Sequence, residues 1–153
     1  MALHVSPVQT IPEALAIAEV RNTGIEFMTH NGELITPEAQ ETWFTQAYQL
    51  AKSNGQTHAF IGREASTPVA YGLVNHLDGD YWLTGVVVPE AQGKGYGRIL
   101  FQHLGNFTLN ALSADRVLLD VLNTNERAKK LYTSLGYKAI SFDRRTTVME
   151  LQR

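Results

Sequence analysis

Glycine recurs at alternate positions in Gln92-Gly93-Lys94-Gly95-Tyr96-Gly97-Arg98, after the run Val86-Val87-Val88-Pro89 and before Ile99-Leu100-Phe101. Such spacing lets the backbone come close to a ligand and turn its amides outward. A helix opening at the same point adds unpaired N–H groups and the positive end of its dipole. The chemistry offered is anion binding, most naturally of a phosphate or pyrophosphate. Gln92, Lys94 and Arg98 can add side-chain contacts, the two cations to phosphate oxygens. The plainer reading of those charges is solvated surface.

Two familiar phosphate loops do not fit. A G-x-G-x-x-G fingerprint needs glycine where Arg98 stands, and a Walker loop needs Ser or Thr after its lysine, where this chain has Gly95. Downstream, Asp120 interrupts the apolar run Val117 to Leu122, and an unpartnered carboxylate is costly there. It reads either as a catalytic base or as a carboxylate holding the loop at Asn123 to Asn125. Tyr132 is spaced to pack beside Ala128 and Leu135, and Asn125 is placed to cap their helix.

The elements that must carry these residues can be read from pattern and turn chemistry. Residues 3–8 suit a strand and 10–22 a helix with Pro12 and Glu13 in its first turn. The stretch 23–35 reads as a loop or broken helix. Thr36 caps a second helix that Asn54-Gly55 ends. Strands follow near 57–64, 68–77 and 80–88, joined by hairpin turns. A helix near 95–112 leads to a buried strand at 116–122. A helix at about 125–135 closes at Gly136, and short strands at 137–143 and 146–151 complete the chain. The order is β-α-α-β-β-β-α-β-α-β-β, a single α/β domain over 1–153.

Composition narrows the partners. The chain has 153 residues, 44% hydrophobic and 18% charged, with a net charge of −2. That is enough for one core, and there is no basic cluster to bind nucleic acid. No apolar run is long enough to cross a membrane, and Met1 to His4 lacks a signal pattern. The absence of cysteine excludes disulfides, a cysteine acyl-enzyme and a Cys/His metal site, and fits a cytoplasmic protein.

Gln92-x-x-Gly95-x-Gly97, with its strand-and-proline lead-in, resembles the Q/R-x-x-G-x-G/A signature of the GCN5-related N-acetyltransferases, the GNAT superfamily. Leu119-Asp120-Val121, then Asn125-x-x-Ala128-x-x-Leu131-Tyr132-x-x-x-Gly136-Tyr137, is similar to that family's fifth strand and fourth helix. The resemblance implies a mixed, mostly antiparallel twisted sheet of about seven strands with four helices, and acetyl-CoA as co-substrate without a metal. Strands 80–88 and 116–122 would splay apart to admit pantetheine against the backbone of Val87 and Val88. Pyrophosphate would rest on the amides from Gly93 through Gly95, Tyr96 and Gly97 to Arg98, with Asn125 nearby as a cofactor contact or only a cap. The amide of Gly85 would hydrogen-bond the thioester carbonyl as it becomes an oxyanion; a glycine there also suits a β-bulge. Tyr132 would protonate the departing thiolate, and Asp120 is similar to a glutamate base of some N-terminal acetyltransferases, one methylene shorter.

The 23–35 loop and adjoining strand ends should frame the acceptor, which singles out Glu26, His30, Glu33, His76 and Tyr81. His58 and His103 read as ordinary strand and helix residues. Arg21-Asn22, Met28, Ile35-Thr36 and Trp43-Phe44 are similar to the first helices of some nucleotide-amino-sugar and ribosomal-protein acetyltransferases. The expected activity is transfer of acetyl to a primary amine of a small molecule, amino sugar or peptide by direct attack in a ternary complex. Acylation of a protein N-terminus, and a non-catalytic acyl-CoA-binding module, are the alternatives. Nothing in the sequence decides for or against a homodimer.

Overall fold

The computed structural model describes residues 2–30 and 32–153; Met1, and Asn31 within the expected 23–35 loop, lie outside them. Seven strands form one sheet in the order β1-β2-β3-β4-β5-β7-β6. They are β1 (Leu3–Pro7), β2 (Thr57–Glu64), β3 (Thr67–Leu77), β4 (Asp80–Val87), β5 (Arg116–Leu122), β6 (Lys138–Phe142) and β7 (Thr146–Gln152). Four helical segments connect them. α1 is Ile11–Thr23, and α2 runs through Pro37–Trp43, a π turn at Phe44–Tyr48 and Gln49–Ser53. α3 is Tyr96–Asn106 followed by a π turn at Phe107–Ala111, and α4 is Glu126–Ser134. Among the described residues no helix is long and apolar enough to cross a membrane.

Local chemistry explains the helix starts. Thr10 and Glu13 form a reciprocal capping box at α1, Thr36 accepts from the amide of Ala39 at α2, and Asn125 accepts from that of Ala128 at α4. The loop between α1 and α2 holds a 3₁₀ turn at Ile25–Phe27. Asn22 fixes its far end, donating to the carbonyl of Ile35 at 2.9 Å and accepting from the Ile35 amide at 3.0 Å. Arg21, buried in α1, donates to the carbonyl of Glu33.

All strand pairs are antiparallel except β4 with β5, which run parallel. Helix α3 lies close against β3 and β4 because two facing glycines make room. A Cβ on Gly72 would meet Leu104 at 2.9 Å, and one on Gly85 would meet the Phe101 ring at 2.7 Å. Packing thus accounts for Gly85. The bulge reading is corrected, since β3 and β4 pair without a register break through Gly72↔Gly85. Leu100, Leu104 and Leu119 are fully buried, and each contributes roughly 1.5–3 kcal/mol by leaving water.

Candidate active site

The parallel joint holds by a single pairing, Trp82 with Leu118. Arg116 staples the same end, its guanidinium forking onto both Asp80 oxygens at 2.9 and 3.0 Å and reaching Glu150 at 2.8 Å. Beyond Trp82 the two strands diverge, and the sheet opens toward Val87 and Leu122. The Val88 amide is bonded to Val69 of β3 at 2.9 Å. Because backbone groups alternate along a strand, those of Gly85 and Val87 then face the gap. They form a strand edge with no partner strand, its Val87 carbonyl accepting from the Gln92 side chain, shaped to receive a chain that brings its own amides.

At the open end the chain turns through Gly93 and Gly95, both at φ +82°, and α3 begins. These are left-handed conformations that glycine adopts without strain. A Cβ at either position would meet nothing within 4 Å, so the turn stands open on that side. No side chain caps α3, which leaves its first N–H groups without intrahelical partners and available to an anion.

The side chains around this turn are committed to protein partners. Lys94 pairs with Glu64 at 3.0 Å, and Arg98 donates to Ser134 at 2.6 Å. The Tyr96 side chain is buried, with its hydroxyl on Glu64. The Tyr96 hydroxyl, with Lys94 second, holds the Glu64 carboxyl below its usual range, and Glu64 pushes the Tyr96 phenol up to about 12. At Tyr96 only the backbone is left for a ligand. Gln92 donates to the carbonyl of Val87 at 3.0 Å and accepts from Arg127 at 2.9 Å. Arg127 and Glu64 carry no local signal in sequence, because each arrives from a different element.

Across the gap, Tyr132 on α4 is buried against Phe101, ring centroids 4.9 Å apart. Burial raises its phenol well above the usual range, and the charges of Tyr137 and Asp120 add to the effect. The phenol is therefore a proton donor throughout the neutral range. Asp120, on β5, is close enough for its charge to act on Tyr132, and its side chain is 17% exposed. Neither carboxylate oxygen is idle. Oδ1 accepts from the Thr29 hydroxyl at 2.6 Å, and Oδ2 from His30 Nε2 at 2.9 Å. The loop bearing Thr29 and His30 is latched by Arg145, from the β6–β7 turn, on the carbonyls of Met28 and Thr29. That turn is tied to the end of β5, where Asn123 donates to the carbonyl of Asp143 at 2.9 Å and accepts from Thr147 at 2.6 Å.

Of the residues expected to frame the acceptor, the structure brings His30 to Asp120. Glu26 and Glu33 are exposed on the same loop. His76 and Tyr81 stack on each other, centroids 4.3 Å apart, at the stapled end of the sheet and away from Asp120. Thr29 and Arg145 were invisible to pattern reasoning, since long-range folding alone places them beside β5. Asn125 is occupied as the cap of α4. Among the described residues no His/Cys/Asp/Glu group could hold a metal ion.

Solved structures share this architecture. The chain is similar to yncA of Salmonella typhimurium, solved with its cofactor acetyl-CoA, at TM-score 0.79 and 19% identity, covering 99% of this chain and 94% of that one. It is similar to ribosomal-protein-S5-alanine acetyltransferase of Vibrio fischeri at TM-score 0.81 and 15% identity, covering 99% and 93%. It is also similar to a GNAT superfamily phosphinothricin acetyltransferase of Sinorhizobium meliloti in complex with acetyl-CoA, at TM-score 0.81 and 15% identity, covering 99% and 89%. No protein of curated function matches the sequence. A model of the Acetyltransferase (GNAT) family matches residues 27–137, a span that takes in the gap, the glycine turn and Tyr132 alike, and the chain belongs to that family of acetyltransferases.

Proposed function

We propose that the protein transfers acetyl to a primary amine of a small molecule, amino sugar or peptide, by direct attack with both substrates bound. The observation that carries this reading is the gap between β4 and β5, with a strand edge that has no partner strand on one wall and Tyr132 and Asp120 on the other side. Acetyl-CoA brings an activated thioester, and the rest falls to this chain's residues. Backbone groups of Gly85 and Val87 hold and orient by strand-like hydrogen bonds, and the Gly85 amide is the donor available to a carbonyl that gains negative charge. Amides from Gly93 to Arg98 hold pyrophosphate oxygens. With no cysteine in the chain there is no thiol to carry the acyl group, which favours direct attack over a cysteine acyl-enzyme. The same lack of cysteine suits a reducing cytoplasmic setting.

Tyr132 keeps its proton at the hydroxyl until sulfur needs it. An ordinary phenol titrates near 10 and an ordinary thiol near 8.5, so outright transfer is uphill by about 2 kcal/mol. Burial at Tyr132 makes it steeper. The hydroxyl therefore works as a donor to sulfur while the C–S bond breaks, delivering the proton as charge builds there.

The test is acetyl-CoA-dependent thiol release read with a thiol-reactive dye, across nucleotide-linked amino sugars, polyamines, aminoglycosides, amino acids and N-terminal peptides. A protein without cysteine adds no background. Release with one acceptor class establishes the activity and its substrate together, and N-terminal peptides would single out protein acetylation. Binding of acetyl-CoA with silence across the panel would instead favour a binding module.

A further inference from the structure

The geometry points to His30 as the general base of the transfer, with Asp120 as the residue that positions it; this rests on the amine-acetylation reading above. Asp120 is poorly disposed to take a proton itself. It already accepts from Thr29 at 2.6 Å and from His30 at 2.9 Å, and protonating either oxygen would give up one of those charge-assisted bonds. An ionised carboxylate can only accept, so the Asp120 contact places the imidazole proton on Nε2. The lone pair is then on Nδ1, which has no partner among the described residues, on a side chain 83% exposed.

This is the arrangement an acid–base histidine requires, with one ring nitrogen oriented by a half-buried carboxylate and the other open to substrate. The loop that carries the ring is fixed rather than free. Arg145 binds the carbonyls of Met28 and Thr29, and the Thr29 hydroxyl anchors on Asp120. The charged and titratable groups on this side are Asp120 from β5, which bonds the ring, Arg145 from the β6–β7 turn, which bonds the preceding Thr29 carbonyl, and Tyr132 from α4, within reach of the Asp120 charge.

The protons balance. Overall, an alkylammonium and a thioester give an amide, a thiol and one proton, with the N–C bond forming as the C–S bond breaks. His30 Nδ1 takes the first proton from the ammonium and, being exposed, passes it to water. The Tyr132 hydroxyl gives its proton to sulfur and regains one from the second proton leaving nitrogen. Asp120 stabilises the transient imidazolium across the Nε2 bond without changing its own protonation.

The variants are His30→Ala, His30→Gln, Asp120→Asn and the double variant His30→Ala/Asp120→Asn, each assayed for turnover with the amine found above and for acetyl-CoA affinity by calorimetry. His30→Ala should lower kcat by about a hundredfold or more with affinity for acetyl-CoA unchanged, and added imidazole should restore part of the loss. Asp120→Asn should cost less than His30→Ala and add little on top of it, because the two act as one unit. Wild-type turnover in His30→Ala, or no rescue by imidazole, overturns the proposal while leaving the acetyltransferase reading intact. A wild-type protein that binds acetyl-CoA but acetylates no amine overturns that reading, and this proposal with it.

Discussion

Arg127 Nη1 donates to Gln92 Oε1 across 2.9 Å, and Gln92 Nε2 donates onward to the Val87 carbonyl at 3.0 Å. The chain of contacts joins the end of β4 to the first turn of α4, the two sides of the gap. It ties up a strand-edge acceptor that faces the gap, and it brings a guanidinium beside the glycine turn. A bound cofactor amide would share that carbonyl with Gln92 or displace it, and displacement would release Arg127 toward the glycine turn. Arg127→Ala should weaken acetyl-CoA binding roughly tenfold, the worth of one charge-assisted hydrogen bond. The loss should shrink at high salt. Gln92→Ala should speed association in stopped-flow measurements by freeing Val87. Affinity insensitive to Arg127 at every salt concentration would rule out the guanidinium as a phosphate contact.

Gly95 is required by its backbone and not by its surroundings. It sits at φ +82°, with open space where a Cβ would project. Gly95→Ala should therefore cost only about 1–2 kcal/mol of stability, the strain of a left-handed residue. Because relieving that strain means rotating the peptide away from the anion site, acetyl-CoA affinity should fall by more than the thermal shift implies. Gly97 fails differently, since a Cβ there would press on Leu131 at 3.2 Å. Gly97→Ala should loosen the packing of α3 on α4 first. Calorimetric binding read beside melting temperature separates the two.

Tyr132→Phe removes one hydroxyl from a ring packed against Phe101 and leaves the packing intact. A donor that acts only as the C–S bond breaks contributes to kcat and not to ground-state affinity. The expected result is a fall of roughly 10²–10³ in kcat, with the acetyl-CoA dissociation constant within about twofold of wild type. Unchanged kcat in this variant would remove Tyr132 from the proton path.

Most of the fold was legible because its signals are local. The caps at Thr10, Thr36 and Asn125 and the glycine turn at Gly93 and Gly95 each announce themselves within a few residues. The surroundings of Asp120 were not legible. The environment of Asp120 is built by Thr29 and His30, about 90 residues away in sequence, and by Arg145 from the opposite hairpin. No periodicity links them. Proximity in sequence also misled at His76 and Tyr81, which sit at a strand end as expected, but at the end that Arg116 holds shut. At Gly85 the sequence offered a bulge or a donor, and the reason for glycine there is a phenyl ring on a helix that follows it.

His58 and His103 should set how the protein tolerates acid. Both pack into one aromatic cluster. His58 meets Phe107 at 5.1 Å, His103 meets Phe60 at 5.4 Å, and the two phenyl rings lie 5.0 Å apart. The buried Nε2 of His58 has no hydrogen-bond partner among the described residues. Burial lowers the pKa of each imidazole, with the charge of Lys52 adding at His58 and that of His4 at His103. A group whose folded pKa lies below its unfolded value favours the folded state while both forms are neutral, above about 6.5 for imidazole. As pH falls below that value the unfolded chain takes up protons that the folded protein refuses, and stability declines through the folded pKa. The carboxylates held low, Asp80 beside Arg116 and Glu64 beside Tyr96, lose their contribution only further down, below about pH 4.5. Denaturant unfolding at pH 7.5 and pH 5.5 should therefore show a loss that His58→Phe/His103→Leu removes in large part. An equal loss in that variant would place the acid sensitivity outside this cluster.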